Sequence, residues 1–180
     1  MHGRYGVLRQ RCGFTLIELV TVMVIIGALS TLAYPKMATS YYRLEITGAA
    51  RKLQNDIRYA QQMALDDHLK IDVIFDAANE RYRVADVAAN ANLTDPFTRS
   101  AGVTGSDWTT GLYVDYPNNS ELKAMAITSS TSGTLRFSTM GHPADTSDVE
   151  LTANFDIILA CQSITKTVRV SPATGVVTVL

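Results

Sequence analysis

Between Gly13 and Pro35 the chain reads GFTLIELVTVMVIIGALSTLAYP, an apolar run carrying a single side chain that is charged at neutral pH, Glu18. As an α-helix rising about 1.5 Å per residue, Phe14 to Tyr34 extends roughly 30 Å, the depth of a bilayer's hydrocarbon core. Arg4, Arg9 and Arg11 precede it, and positive charge stays on the cytoplasmic side. These features predict a single-pass helix over residues 14–35, with the chain after Pro35 outside the inner membrane. Glu18 needs its own explanation, because a carboxylate at the centre of a bilayer costs about 3 kcal/mol on insertion scales and such groups have a partner. Two readings stand side by side. Glu18 lies about one turn inside the helix, near the headgroups and the favourable end of the helix dipole. Alternatively, a cut before Phe14 creates an amino group one turn away, and in a neighbouring subunit that amine is a suitable partner.

Gly13, Phe14, Thr15, Leu16, Ile17 and Glu18, after a short basic leader and before a long apolar helix, resemble the class III signal of type IV pilins and type II secretion pseudopilins. Ordinary secretory signals differ, since they are cut after the apolar region at small residues. The resemblance implies cleavage between Gly13 and Phe14 by the prepilin peptidase, N-methylation of Phe14, and a role for Glu18 in subunit register during filament assembly. Residues 1–13 are then a leader peptide, 14–35 the transmembrane and assembly helix, and 36–180 the pilin globular domain. The implied partners are the prepilin peptidase, other pilin or pseudopilin subunits and inner-membrane lipid. The implied location is first the inner membrane, with the C-terminal domain periplasmic, and then a pilus or pseudopilus filament.

One hundred and eighty residues suffice for one domain with a modest core. The formal charge of −1 conceals an asymmetry: once the leader arginines are gone, the remainder is acidic by about four charges. An acidic body argues against bulk capture of DNA. The two cysteines are Cys12, in the leader, and Cys161. After processing Cys161 has no intrachain partner, and the expectation is a buried, small apolar residue.

Pro35 removes a backbone hydrogen bond and is expected to kink the helix without ending it, because an amphipathic pattern continues beyond. Met37, Tyr41, Leu44, Ala49, Leu53, Ile57, Ala60, Ala64 and Leu65 recur at steps of mostly three or four, predicting a helix to about residue 68 with one face for a sheet. Arg43, Glu45, Arg51, Lys52, Asn55, Asp56 and Arg58 fill much of the opposite face, which is either solvated or, in a filament, turned to neighbouring subunits. From Lys70 the period becomes two. A hairpin is expected over 71–75 and 81–85, a long loop over 86–110 pinned by Trp108, and further strands over 111–116, 122–128, 134–138, 149–161, 164–171 and 176–180. Turns are expected at 117–119, 129–133, 141–143 and 172–175. The fold class is α+β: a pilin-like long N-terminal helix packed on an antiparallel β-sheet domain of short strands.

The stretch Ala49 to Phe75, with LRFSTMGHP at 135–143 and VRVSPATGVVTV at 168–179, resembles the minor subunits of the GspH/FimT family. The resemblance implies a minor type IV pilin that primes or caps pilus assembly, with a minor GspH-like pseudopilin of a type II secretion system as the alternative. Pro35 leans toward the pilus. A FimT-like, DNA-binding pilin is the alternative of another class. Its candidate residues are Lys166 and Arg169, whose odd separation puts them on opposite faces of a strand, and the segment after Gly175, VVTVL, lacks basic residues. No motif for catalysis, cofactor binding or metal ligation is recognisable: His68 and His142 have no Cys or His at ligand spacing, and Walker, dinucleotide and GxSxG signatures are missing. The expectation is a non-enzymatic structural subunit without a cofactor.

Overall fold

The computed structural model describes residues 14–100, 102, 108–116, 125–129 and 133–180, with only the backbone for 32–39 and for 125, 126, 128 and 129. The leader with Gly13, and the expected turn at 117–119, lie outside the described residues. The chain divides into two compact units, Met1–Ser40 and Tyr41–Leu180.

One 51-residue helix, α1 (Leu16–Asp66), passes position 35 without interruption. It stops two residues short of the expected end, where His68 takes a left-handed backbone conformation (φ 52°). Among the described residues no helix is long and apolar enough to cross a membrane. The run that the sequence offers for crossing extends to Tyr34, past Thr31, the last of its residues with a described side chain.

Among the described residues, all strands belong to the second unit. They are β1 (Ile71–Asp76), β2 (Arg81–Asp86), β3 (Ala91–Asn92), β4 (Tyr113–Asp115), β5 (Met125–Ser129), β6 (Thr134–Phe137), β7 (Pro143–Ala144), β8 (Phe155–Cys161), β9 (Ile164–Val170) and β10 (Val177–Val179). They form two antiparallel sheets, β3-β2-β1-β6-β7 with β4 also on β2, and β10-β9-β8-β5. The α+β class and the hairpins follow the sequence pattern. The stretch expected as a loop over 86–110 contains β3, whose Asn92 is buried and donates to the Thr110 carbonyl at 2.7 Å. The strand expected from Val149 begins only at Phe155. Residues 149–151 instead turn back onto β7, through Leu151 N–H to the Pro143 carbonyl (3.0 Å) and an Ala144–Glu150 bridge.

The core joins one helix face to both sheets. On α1 it consists of Ile46, Ala49, Ala50, Leu53, Ile57, Ala60 and Ala64, each no more than 2% exposed, at the three- and four-residue steps of one helical face. Tyr41, Leu44 and Leu65, expected in that face, are exposed, and Ile46 and Ala50 take their place. The buried face is thus rotated and rich in alanine, which allows the backbone close to the sheets. Phe75, Tyr82, Tyr116, Phe137 and Phe155 supply bulk from the other side. Helix side chains also satisfy strand carbonyls: Gln54 and Arg58 both donate to the Val177 carbonyl, at 2.8 and 3.0 Å. Gln61 donates to the Gly141 and Thr174 carbonyls, at 3.0 and 3.2 Å. Gly175, at φ +66°, keeps the Gln61 amide in place, since a Cβ there would collide with it.

Asp56, assigned by pattern to the solvated face, is 1% exposed. Its carboxylate accepts the Tyr82 hydroxyl at 2.6 Å and pairs with Lys52, one turn earlier, at 2.9 Å. Burial raises its pKa against the opposing pull of Lys52, and burial likewise pushes the Tyr82 phenol well above its ordinary range. The rotation that brings Ile46 and Ala50 inward brings Asp56 with them, and Tyr82 makes its burial tolerable. Cys161 is fully buried, with its thiol pKa raised chiefly by burial. Trp108 lies against Arg81, whose guanidinium is 4.2 Å from the ring centroid, so the indole holds its segment onto β2.

Outer strand faces carry ion pairs. Arg136 makes a fork to Asp72 (2.7 and 2.9 Å), and Asp148 accepts from both Arg136 and Lys70. Arg169 makes a second fork to Asp156, directly opposite it, at 2.7 Å for both bonds. Asp148 is held below its ordinary pKa by the Lys70 and Arg136 hydrogen bonds, and Asp156 by that of Arg169.

Two outcomes are expected of the full chain in neutral detergent. Tyr82→Phe leaves a buried carboxylate short of one donor and lowers unfolding free energy by about 1–3 kcal/mol, read by urea titration of Trp108 fluorescence; an unchanged midpoint would contradict the role given to this bond. The second concerns acid. Because folding depresses the Asp148 and Asp156 pKa values, their contribution is present above the unfolded value of about 4 and is lost as pH falls through the folded values. Asp156→Asn should therefore show a shallower loss of stability below about pH 4 than the wild type, in melts taken at stepped pH.

Candidate functional site

At the start of α1, Phe14 and Thr15 precede the first helical turn, and Thr15 caps it. The Glu18 N–H meets the Thr15 hydroxyl at 3.3 Å and the Thr15 carbonyl at 3.1 Å, while the Leu19 N–H reaches the same carbonyl at 3.2 Å. Thr15 and Glu18 stand in the T-x-x-E order of a capping box, with the acid in the first turn, where the helix dipole favours negative charge. That signal was present in the sequence beside the glycine–phenylalanine junction, and the hydrogen bonds to Thr15 run from the Glu18 and Leu19 backbone N–H groups. Among the described residues the Glu18 carboxylate makes no ion pair.

From Phe14 to Thr31 every side chain is exposed. Leu16, Ile17, Met23, Val24 and Leu29 each keep 60% or more of their surface. A helix apolar on all sides finds its solvent in lipid or in other helices. Its hydroxyls suit that surrounding, because each is satisfied on its own backbone: Thr21 on the Ile17 carbonyl (2.8 Å), Ser30 on Ile26 (2.7 Å) and Thr31 on Ala28 (2.8 Å). In a water-free medium such internal satisfaction removes the main penalty of a polar side chain. Gly13 lies outside the described residues, as does the side chain of Pro35.

The two basic residues weighed for DNA are not brought together. β9 presents Lys166 on the face shared with the buried Val168 and Val170, opposite Leu159, whereas Arg169 is on the other face. The Arg169 charge is taken up by Asp156. The two-residue turn at Gln162–Ser163 sets this register, so the Asp156–Arg169 pairing could have been counted from the sequence once the hairpin was recognised.

Residues 8–34 match the prokaryotic N-terminal methylation motif, and residues 49–174 match the family described as type II transport protein GspH. No curated protein matches the chain. Among solved structures it is similar to the type IV minor pilin FimU of Pseudomonas aeruginosa, with a TM-score of 0.52 at 13% identity over 77% of this chain and 90% of that one. It is also similar to the minor pseudopilin EpsH of the Vibrio cholerae type 2 secretion system, at 0.49 and 10% identity over 76% and 96%. The fold of a helix on antiparallel sheets is thus shared with FimU at low identity. With the GspH match spanning well over half of its length, the chain belongs to the type II transport protein GspH family and carries the prokaryotic N-terminal methylation motif ahead of that domain.

Proposed function

We propose that this chain is a minor type IV pilin, a structural subunit that primes or caps a pilus after prepilin peptidase cuts between Gly13 and Phe14 and the new Phe14 amine is methylated. The observation that carries the reading is the coincidence, within one methylation motif, of the Gly13–Phe14 junction, Glu18 and an exposed all-apolar helix. In the precursor, the leader arginines hold the N-terminus in the cytoplasm while the apolar run lies in the inner membrane and the sheet domain faces the periplasm. The capped first turn makes Glu18 tolerable there. In a filament the Phe14 amine of a neighbouring subunit is positioned by chemistry to pair with the Glu18 carboxylate, at a depth where no water competes. Pro35 marks the place where a kink would adjust the helix between its two surroundings. The GspH family description supports a second reading, a minor pseudopilin of a type II secretion system. DNA uptake through Lys166 and Arg169 is the weaker third, because Arg169 is neutralised and the body is acidic.

Deleting the gene separates the first two readings: loss of surface pili with secretion intact fits the pilin, and the reverse fits the pseudopilin. Glu18→Ala should keep the chain in the membrane fraction yet enter filaments about tenfold less, equivalent to about 1.4 kcal/mol. Unchanged incorporation would remove the assembly role from Glu18. Gly13→Leu should leave a membrane-retained precursor, seen on a gel as a band larger than the processed chain, and normal processing would refute the assigned junction.

A further inference from the structure

Arg43, Ile46 and Thr47 on α1, with Ser163, Ile164, Thr165 and Lys166 at the β8–β9 turn, line an open cavity of about 490 Å³ inside the second unit. We infer that this cavity is an anion site for a phosphate group, held by the Arg43 guanidinium and the Lys166 ammonium. The inference is independent of the assembly reading and of the pairing of Lys166 with Arg169.

Charge comes first. Lys52, Lys70, Arg81, Arg136 and Arg169 each sit against a carboxylate. Arg43 and Lys166 share a cavity whose lining contains no acid, and among the described residues neither makes an ion pair. Two like charges in one concavity repel unless an anion lies between them. The placement of Lys166 is also unusual. Its strand position belongs to the inner face, opposite the fully buried Leu159, so its aliphatic stem continues the core while its ammonium reaches the opening. Arg43 comes from the facing helix, on the same side as Ile46 and Thr47 by their three- and four-residue spacing. Glu45, the nearest acid in sequence, is two positions from Arg43 and two from Thr47 and so falls on a different side of the helix; its field is felt at Cys161, the strand partner of Ile164.

The donors suit phosphate. A guanidinium forks onto two phosphate oxygens, and an ammonium adds a compact charge. Ser163 and Thr165 bring hydroxyls that can donate to the remaining oxygens. Thr47 shapes the wall only, because its proton is already given to the Arg43 carbonyl at 2.7 Å. The volume falls within the range of small-molecule sites. The phosphate could be a free ion or the headgroup of an anionic phospholipid, and the chemistry is common to both.

The test uses the full chain in maltoside detergent. In one arm sodium phosphate is titrated calorimetrically against sodium chloride at equal ionic strength. In the other, micelles are doped with phosphatidylglycerol or with diacylglycerol, which lacks the phosphate, and bound lipid is counted by native mass spectrometry. Saturable binding of inorganic phosphate is expected, at least about tenfold weaker in Lys166→Met and in Arg43→Gln, with Arg169→Gln like the wild type. Retention of phosphatidylglycerol over diacylglycerol, lost in the same two variants, supports the site and assigns it to lipid; phosphate binding without lipid preference supports it and assigns the free ion. Arg43 is exposed, so Arg43→Gln reports even if Lys166→Met disturbs the sheet. No saturable response to either probe, wild-type binding retained in both variants, or retention of duplex DNA alone would overturn the assignment.

Discussion

The alanine-rich face of α1 is the constraint on which the folded unit depends. Two antiparallel sheets, neither closed on itself, meet over Ile46, Ala49, Ala50, Leu53, Ile57, Ala60 and Ala64. Small residues let the sheets' aromatic side chains reach between them and give the helix a buried stripe without a bulky ridge. Gln54, Arg58 and Gln61 then bond to carbonyls of Val177, Thr174 and Gly141. Apolar burial supplies most of the cohesion, and these polar contacts select the register in which the helix lies.

Asp56 shows how a single rotation of that face changes the electrostatics. Desolvation raises its pKa, and Tyr82 and Lys52 oppose the shift, so a potentially costly charge becomes a fastening between helix and β2. The outer pairs behave differently. Arg169 with Asp156 keeps 39% and 23% of its side-chain surface exposed, so its Coulomb energy is screened and its larger effect is on strand register; Arg136 with Asp72, at 12% each, is far drier and rests on its two-bond fork. Removing Arg169 from the pool of available cations also changes the functional picture: the C-terminal hairpin presents Lys166, facing the helix, and not a two-residue basic patch.

The N-terminal unit obeys another rule. Its described side chains, from Phe14 to Thr31, are all exposed, and the hydroxyls of Thr21, Ser30 and Thr31 close onto carbonyls of their own helix, both properties of a segment whose environment is supplied by other molecules. Family membership and the methylation motif agree with that physical reading. The sequence made this unit legible because its signals are local: an apolar run, a glycine–phenylalanine junction, an acid at fixed spacing, and a T-x-x-E cap that spacing alone could have identified.

Local patterns also carried much of the folded unit. The change of period from 3.6 to 2 near Lys70 located the end of the helix to within two residues, and turn residues located most hairpins. What local pattern could not determine was the angular setting of the helix, because Leu44 and Ile46 fit a three- and four-residue period about equally well and only the sheets decide between them. The same holds for Asp56, whose burial depends on Tyr82, 26 residues away, and for β3 and β7, too short to carry a period. By itself the sequence determined an apolar, capped helix and an α+β chain in which Cys161 is the one cysteine beyond the Gly13–Phe14 junction. Tertiary structure alone decided which acid is buried, which arginine is neutralised and that Arg43 and Lys166 share a cavity, since each depends on residues brought together from distant parts of the chain.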